Sequence, residues 1–161
     1  MSTADAGRPR PPERRQVKSI PVGAQPAHPG GEAQPVVNLF DAVGGQAFFD
    51  ELVERFYAGV ASDPVLVGMY PDDLTDPKRH LALFLGQYWG GPGTYSAERG
   101  HPRLRMRHVP FVIGEPERDA WLRHMCAALD SLVAERDIHP AIEARMLDYF
   151  GMAAQGMVNA G

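Results

Sequence analysis

Residues 88–108 read YWGGPGTYSAERGHPRLRMRH, and they separate two parts of the chain that have clear helical periodicity. The Gly-Gly-Pro-Gly run at 90–93 ends the preceding helix, because glycine and proline are the poorest residues in a helix interior. The rest of the stretch is short of apolar side chains and crowded with arginine. It can hold one short helix near residues 103–108, which Pro110 stops and which ends on a lone histidine, His108.

Amphipathic helices are predicted on both sides of this stretch. Apolar residues recur with the spacing of one helix face in four segments, which are 46–61, about 75–88, about 115–136 and the segment after Pro140. We expect Thr75 or Asp76 to cap the second of these helices. A short turn-like segment is expected from Phe40, and a short helix from Pro64 to Tyr70. No convincing strand pattern or internal repeat occurs, so the sequence predicts a compact all-α domain.

The first 37 residues differ in composition from the rest. They contain seven of the 15 prolines and no aromatic residue, with five basic and three acidic side chains. Their net charge of +2 leaves −6 for residues 38–161. A stretch so poor in large apolar groups cannot offset the entropy cost of ordering, so we expect 1–37 to be a disordered tail and 38–161 to be the folded domain. Weak docking of the tail on an acidic surface and an unselected extension both stay open.

Charge, cysteine content and missing motifs argue against several classes of function. The chain has a net charge of −4 and the expected domain is acidic, which does not fit a nucleic-acid-binding surface. Cys126 is the only cysteine, so no intramolecular disulfide framework or cysteine-only metal cage is available. No HExxH, CxxC, CxxCH, GxxxxGK[ST] or GxSxG motif occurs. No apolar run could span a membrane and no signal-peptide pattern is found, so we expect a soluble, cytoplasmic protein.

One histidine and three polar aromatic residues are the candidates for chemistry. His108 by itself is more typical of a surface or satisfied core residue than of a ligand. Tyr57, Tyr70 and Trp121 lie on three different predicted helices, and buried Tyr and Trp normally need a hydrogen-bond partner. Either backbone carbonyls satisfy them in the core, or they converge on one polar guest in an apolar cavity. His124, three residues after Trp121, is assigned to the core or an interface.

Three parts of the sequence together resemble the truncated haemoglobins, specifically their group II. They are the stretch 88–108, FDAVGG at 40–45 and ERDAWL at 117–122. The double glycines at 44–45 and 90–91 look like the paired glycine motifs of that family. The resemblance covers about residues 39–159. It implies a shortened globin fold, a two-over-two helical sandwich, that holds haem b (iron protoporphyrin IX) without a covalent bond.

On the proximal side of the haem, the resemblance concerns two adjacent residues. His108 matches the proximal histidine, the protein ligand of a five-coordinate iron, and Arg107 matches a basic residue that pairs with a haem propionate. Helix geometry independently names the carbonyl of Leu104, one turn before His108, as the acceptor for Nδ1–H, which leaves Nε2 for the metal. Arg105 is a second candidate for the propionate, and a solvated arginine face is the alternative.

On the distal side, the resemblance concerns five residues. Tyr57 and Tyr70 match residues that donate or relay hydrogen bonds to an iron-bound ligand. Trp121 matches the tryptophan whose indole N–H points at the same ligand. Leu81 and Phe84 match apolar residues over the distal side. Because bound dioxygen carries partial negative charge, three such donors predict a strongly held ligand.

Three positions depart from the family pattern. The loop 71–74 is about one residue short, Pro77 stands near the position of a small residue, and His80 replaces a basic residue that reaches a propionate. These departures concern ligand access and propionate pairing rather than haem binding.

Reversible binding of dioxygen is the function that the resemblance favours, with nitric oxide or carbon monoxide as further ligands. The alternative is a nitric oxide dioxygenase or peroxidase-like enzyme on the same scaffold, which needs an electron donor that the sequence does not identify. A cofactor-free helical interaction module is a third hypothesis, and a homodimer stays open.

Overall fold

The computed structural model describes residues 38–160, so the expected tail at 1–37 lies outside the described residues. Within 38–160 the regular structure is helical, which confirms the all-α prediction. The elements are α1 (Leu39–Ala42), α2 (Gln46–Val60), a 3₁₀ turn (Val67–Met69), α3 (Thr75–Tyr88), α4 (Thr94–Arg99), α5 (Leu104–His108), α6 (Glu115–Arg136) and α7 (Pro140–Met157). None of these helices is long and apolar enough to cross a membrane.

Helix α2 forms the centre of the core. Its predicted apolar stripe is at most 1% exposed, and the stripe consists of Phe49, Leu52, Val53, Phe56 and Val60. One side of α2 packs against α3 and another against α6, and α6 in turn packs against α7. The pairs α2–α3 and α6–α7 are therefore the two layers of a two-over-two helical sandwich, as expected.

The double glycine at 90–91 allows α1 to pack against the end of α3. Gly90 has a φ of +108°, and its carbonyl accepts a hydrogen bond from Asn38 Nδ2 at 2.9 Å. Phe40 N donates to the carbonyl of Trp89 at 3.0 Å, and its ring lies so close to Gly91 that an added Cβ would be 2.5 Å away. The positive φ at position 90 favours glycine, and the Phe40 ring leaves no room for a side chain at position 91.

The predicted helix from Pro64 to Tyr70 is wrong, because the segment contains only the single 3₁₀ turn. Tyr70 itself is extended, with φ −115° and ψ 150°. Asp63 accepts a hydrogen bond from Val65 N at 2.9 Å, a local side-chain bond that competes with helix formation.

Two smaller differences concern α3 and α4. Helix α3 begins at Thr75, whose N–H donates to Asp73 Oδ1 at 3.0 Å, so neither predicted cap residue precedes the helix. Helix α4 was not predicted. It packs through buried Tyr95, and Ser96 exchanges hydrogen bonds of 2.7 and 2.9 Å with the Gln87 amide. The contacts of Tyr95 and Ser96 are tertiary contacts, and the local sequence pattern of α4 gives no information about them.

Asp63 also joins the end of α2 to α6. The carboxylate is 7% exposed, and its Oδ2 lies 2.6 Å from His124 Nε2 and 3.1 Å from Arg123 Nη2. The hydrogen bond from His124, followed by that from Val65 N, lowers the pKa of Asp63 below its usual value. His124 thus has the packing role that the sequence suggested. Its ring lies against Gly59 of α2, where an added Cβ would overlap Nδ1.

We expect Gly59→Ala to destabilise the protein by about 1–3 kcal/mol, because the methyl group forces the His124 ring off Asp63. Gly151→Ala is the matched control, since it also lies within a helix and has nothing within 4 Å of the added Cβ. It should stabilise by about 0.4–1 kcal/mol. Thermal and urea unfolding measure both changes. A Gly59→Ala protein as stable as the parent would contradict the close packing of α2 on His124.

Candidate functional site

A cavity of about 280 Å³ lies between the helical layers and is lined from α2, α3, α4, α5, α6 and α7. All seven residues that the family resemblance assigns to the haem site border this cavity, and they are Tyr57, Tyr70, Leu81, Phe84, Arg107, His108 and Trp121. The fold therefore brings together side chains that are up to 64 positions apart in the chain.

His108 ends α5 with its imidazole half-buried at the cavity wall. Its Nδ1 lies 2.5 Å from the carbonyl oxygen of Leu104, the partner predicted from helix geometry. When Nδ1 donates to that carbonyl, Nε2 is left without a proton and with a free lone pair. The arrangement can therefore offer one imidazole nitrogen to a metal.

Asn159, which the sequence analysis missed, holds the chain that follows α5. Its Nδ2 donates to the carbonyls of His108 at 3.3 Å and Phe111 at 2.9 Å, and its Oδ1 accepts from Ile113 N at 2.9 Å. No local signal marks this residue, because it lies just after α7 and acts 51 positions away in sequence. It ties the C-terminal segment to the position of His108.

Tyr57 and Tyr70 meet edge to face, with ring centroids 5.4 Å apart. Tyr57 is almost fully buried in α2, and Tyr70 is half-buried at the end of the 3₁₀ turn. Burial raises the pKa of Tyr70 to about 12. Burial also raises the pKa of Tyr57 above its ordinary value, and the neighbouring Tyr70 acts in the same direction. Both phenols are therefore neutral hydrogen-bond donors at physiological pH.

Trp121 projects from α6 beside the same aromatic group. Phe56 lies between it and Tyr57, with centroids 5.4 Å from Trp121 and 5.0 Å from Tyr57. Among residues 38–160, no carbonyl accepts a hydrogen bond from the two phenols or from the Trp121 indole, although all three side chains border the cavity. The alternative that backbone carbonyls satisfy these donors therefore finds no support within the described residues.

Basic side chains stand at one part of the cavity wall. Arg107 donates from Nε to the carbonyl of Pro102 at 2.8 Å and from Nη2 to that of Arg99 at 3.1 Å, so part of its guanidinium is already bonded. Arg105 is exposed and does not line the cavity. Arg99 does line it, although the sequence analysis did not single it out, because it lies in the unpredicted helix α4.

His80 faces Arg99 across this wall, with Arg99 Nη1 3.2 Å from His80 Nε2. Burial, followed by the positive charge of Arg99, lowers the pKa of His80. A neutral His80 can accept a hydrogen bond from the guanidinium. Pro77, one turn earlier on α3, also borders the cavity.

The apolar walls come from α3 and α7. Leu81 and Phe84 are half-buried on α3, where the resemblance places the distal apolar residues. Tyr149 and Phe150 of α7 complete the wall and were not predicted as site residues. The predicted amphipathic helix after Pro140 includes Phe150, but apolar periodicity does not distinguish a core position from a cavity position. Between residues 38 and 160, no group of three or more His, Cys, Asp or Glu side chains could hold a metal ion.

Known proteins resemble this chain over most of its length. The family described as Bacterial-like globin matches residues 38–156. Group 2 truncated hemoglobin YjbI of Bacillus subtilis is 42% identical over 115 residues, which cover 71% of this chain and 84% of that protein.

Solved structures agree with this match. The thermostable hemoglobin from the actinobacterium Thermobifida fusca is 52% identical, with a TM-score of 0.72 and coverage of 76% of this chain and 97% of that chain. The truncated oxygen-avid haemoglobin from Bacillus subtilis is 38% identical, with a TM-score of 0.69 and coverage of 76% and 99%. The chain belongs to the bacterial-like globins and, among them, to the group II truncated haemoglobins, which makes it a haem-binding globin.

Proposed function

We propose that this protein holds haem b in the cavity through His108 and binds dioxygen reversibly under the control of Tyr57, Tyr70 and Trp121. The observation that carries the proposal is the hydrogen bond between His108 Nδ1 and the Leu104 carbonyl, at 2.5 Å, in the wall of a cavity that those three donors also line. A further support is that a relative is described as an oxygen-avid haemoglobin.

The chemistry of the lining residues fits an iron porphyrin. One neutral imidazole nitrogen is available for the metal, and the apolar rings and aliphatic chains of α3 and α7 suit a flat apolar disc. Arg99, Arg107 and Arg118 supply guanidinium groups at the cavity wall, where they can bond to carboxylates. When bound, the haem supplies an iron with an open sixth position that takes up a diatomic gas.

The three polar aromatic residues determine how long the gas ligand stays. Each phenol O–H or indole N–H is a donor in a cavity whose lining is mostly apolar, and a ligand with partial negative charge accepts from it. Such a bond to a charged acceptor is worth about 1–3 kcal/mol. Because the donors are fixed by packing on α2, the 3₁₀ turn and α6, little reorganisation is needed when the ligand arrives.

Arg107 and Arg99 are the proposed propionate partners. Arg107 still has N–H groups beyond the two that reach backbone carbonyls, because a guanidinium has five. Arg99 is bonded through Nη1 to His80, a neutral acceptor that a carboxylate can replace.

The recombinant protein is expected to purify with haem and to show a Soret band. His108→Ala should lose the iron–imidazole bond, release haem faster and recover a five-coordinate spectrum when imidazole is added to the solution. His101→Ala is the matched control, since His101 is exposed near α5 and, among residues 38–160, accepts a hydrogen bond only from Arg103 N. Absorption spectra and haem transfer to an acceptor globin measure this. Unchanged haem retention in His108→Ala would exclude His108 as the ligand.

Trp121→Phe should raise the oxygen dissociation rate about 5- to 150-fold, which corresponds to the loss of about 1–3 kcal/mol. The phenyl ring keeps the packing against Phe56 but removes the N–H. Trp89→Phe is the control for the loss of an indole, because Trp89 does not line the cavity. Stopped-flow displacement of oxygen by carbon monoxide gives the rates. Equal rates in the parent and Trp121→Phe would remove Trp121 from the donor network.

The oxygen dissociation rate should stay constant between about pH 7 and pH 10. The neutral phenol is the donor, and the raised pKa of Tyr70, about 12, extends the neutral form into the alkaline range. An ordinary phenol, with a pKa of about 10, would be half ionised at the upper limit. A rate that rises with a midpoint at about pH 10 would mean that the tyrosines titrate as exposed phenols do.

A further inference from the structure

A stacked pair of tyrosines connects the cavity to the protein surface. Tyr149 lines the cavity and is 9% exposed, and its ring stacks on that of Tyr88 with centroids 4.0 Å apart and planes at 24°. Tyr88 is 36% exposed and does not line the cavity. All five tyrosines lie in the described part of the chain, and Tyr88 is the exposed one.

From this geometry, and given the haem site proposed above, we infer that Tyr149 and Tyr88 form an electron path from the haem cavity to a surface site where Tyr88 oxidises small phenols. The inference rests on the proposed function only for the presence of haem. It assigns a new site on α3 and α7, a path made of two residues, and a substrate class.

Tyrosine is suited to this path because its phenol can give up an electron and a proton together. The Tyr149 ring contacts both the cavity and Tyr88, so an electron can pass through two rings in contact. Phe84 also touches Tyr88, at 6.2 Å between centroids, but a phenyl ring has no O–H and is much harder to oxidise.

Trp89 lies against both tyrosines but is protected from oxidation. Its centroid is 4.9 Å from that of Tyr88 and 5.5 Å from that of Tyr149. The guanidinium of Arg145 lies over the indole at 5.9 Å, and a nearby positive charge disfavours an indole radical cation. The buried Trp89 Nε1 has no hydrogen-bond partner within residues 38–160, so nothing there accepts its proton. The oxidation therefore stays on the tyrosines.

Tyr88 has what a terminal donor needs. Its ring is open to solvent, so water can take the phenolic proton and a substrate can approach. Burial raises the pKa of Tyr88, and the positive charge of Arg145 opposes that rise. Arg145 is exposed beside this site and can attract phenols that carry a carboxylate. By contrast, Tyr57 and Tyr95 border the cavity but are almost fully buried.

The redox balance requires hydrogen peroxide as the oxidant. One peroxide takes up two electrons and two protons and leaves as two waters. Tyr149 loses each electron together with its phenolic proton, which water can take because the Tyr149 hydroxyl, unlike Trp89 Nε1, is not fully buried. Tyr88 then gives an electron to the Tyr149 phenoxyl, water returns a proton to Tyr149, and the phenolic proton of Tyr88 passes to water. A phenol in solution then gives one hydrogen atom to the Tyr88 phenoxyl. One peroxide and two phenols thus become two waters and two phenoxyl radicals.

The test is to map the protein radical directly. The haem-loaded full chain is mixed with hydrogen peroxide and a nitroso spin trap, and the adduct is located by peptide mass spectrometry. We expect the adduct on Tyr88, its loss from Tyr88 in Tyr149→Phe, and no change in Tyr95→Phe, which borders the same cavity without touching Tyr88. Tyr88→Phe should lose peroxide-dependent oxidation of a phenolic acid and keep the parent Soret band.

Three results would overturn the inference. An adduct that appears first on Tyr57 or Tyr70 would place the oxidation elsewhere, and an undiminished Tyr88 adduct in Tyr149→Phe would exclude the stacked path. The absence of any adduct in a protein with a normal Soret band would also exclude it. A protein without a Soret band would instead count against the haem site itself, so the two failures are distinguishable.

Discussion

The site depends on one hydrogen bond, in which Nδ1 of His108 donates to the carbonyl of Leu104, because this bond selects the tautomer whose Nε2 can bind iron. Helix α5 has only five residues and no independent stability at that length. Its geometry must come from its surroundings. Arg103 begins the helix in a left-handed conformation, with φ 44°, and Asn159 bonds to the carbonyls of His108 and Phe111 at its other end. The C-terminal segment thus helps to form the metal site proposed at His108.

The three polar aromatic residues direct hydrogen-bond donors to the cavity instead of bonding within the core. Unlike Trp89 Nε1, their donor atoms are not among the fully buried atoms that lack a partner, so a polar guest in the cavity can reach them. The stability that permits this comes from the fully buried stripe of α2 and its contacts with α3 and α6, and from the bonds of Asp63 to His124 and Arg123. The residues of the proposed binding site and the residues of the core therefore lie on the same helices.

Local patterns in the sequence predict the elements whose cause is local. The stripe of α2 and the range of α6 follow from apolar periodicity, and the acceptor for His108 follows from helix geometry. Local patterns do not predict helix α4 or the role of Asn159. Helix α4 depends on contacts with Gln87, and Asn159 acts through contacts with the end of α5 and the segment after it. The convergence of the seven site residues on one cavity came from the family resemblance, since no periodicity distinguishes a cavity wall from a core.

Proton NMR of the ferrous, ligand-free haem-bound protein tests the central claim most directly. If Nε2 of His108 binds the iron, its Nδ1 proton is shifted far outside the normal range by the paramagnetic metal. If that proton is bonded to the Leu104 carbonyl, it exchanges slowly with water and gives a nuclear Overhauser contact to Leu104. We expect both signals, assigned to His108. A shifted Nδ1 proton that belongs to another histidine, or none at all in the presence of bound haem, would contradict the proposed site.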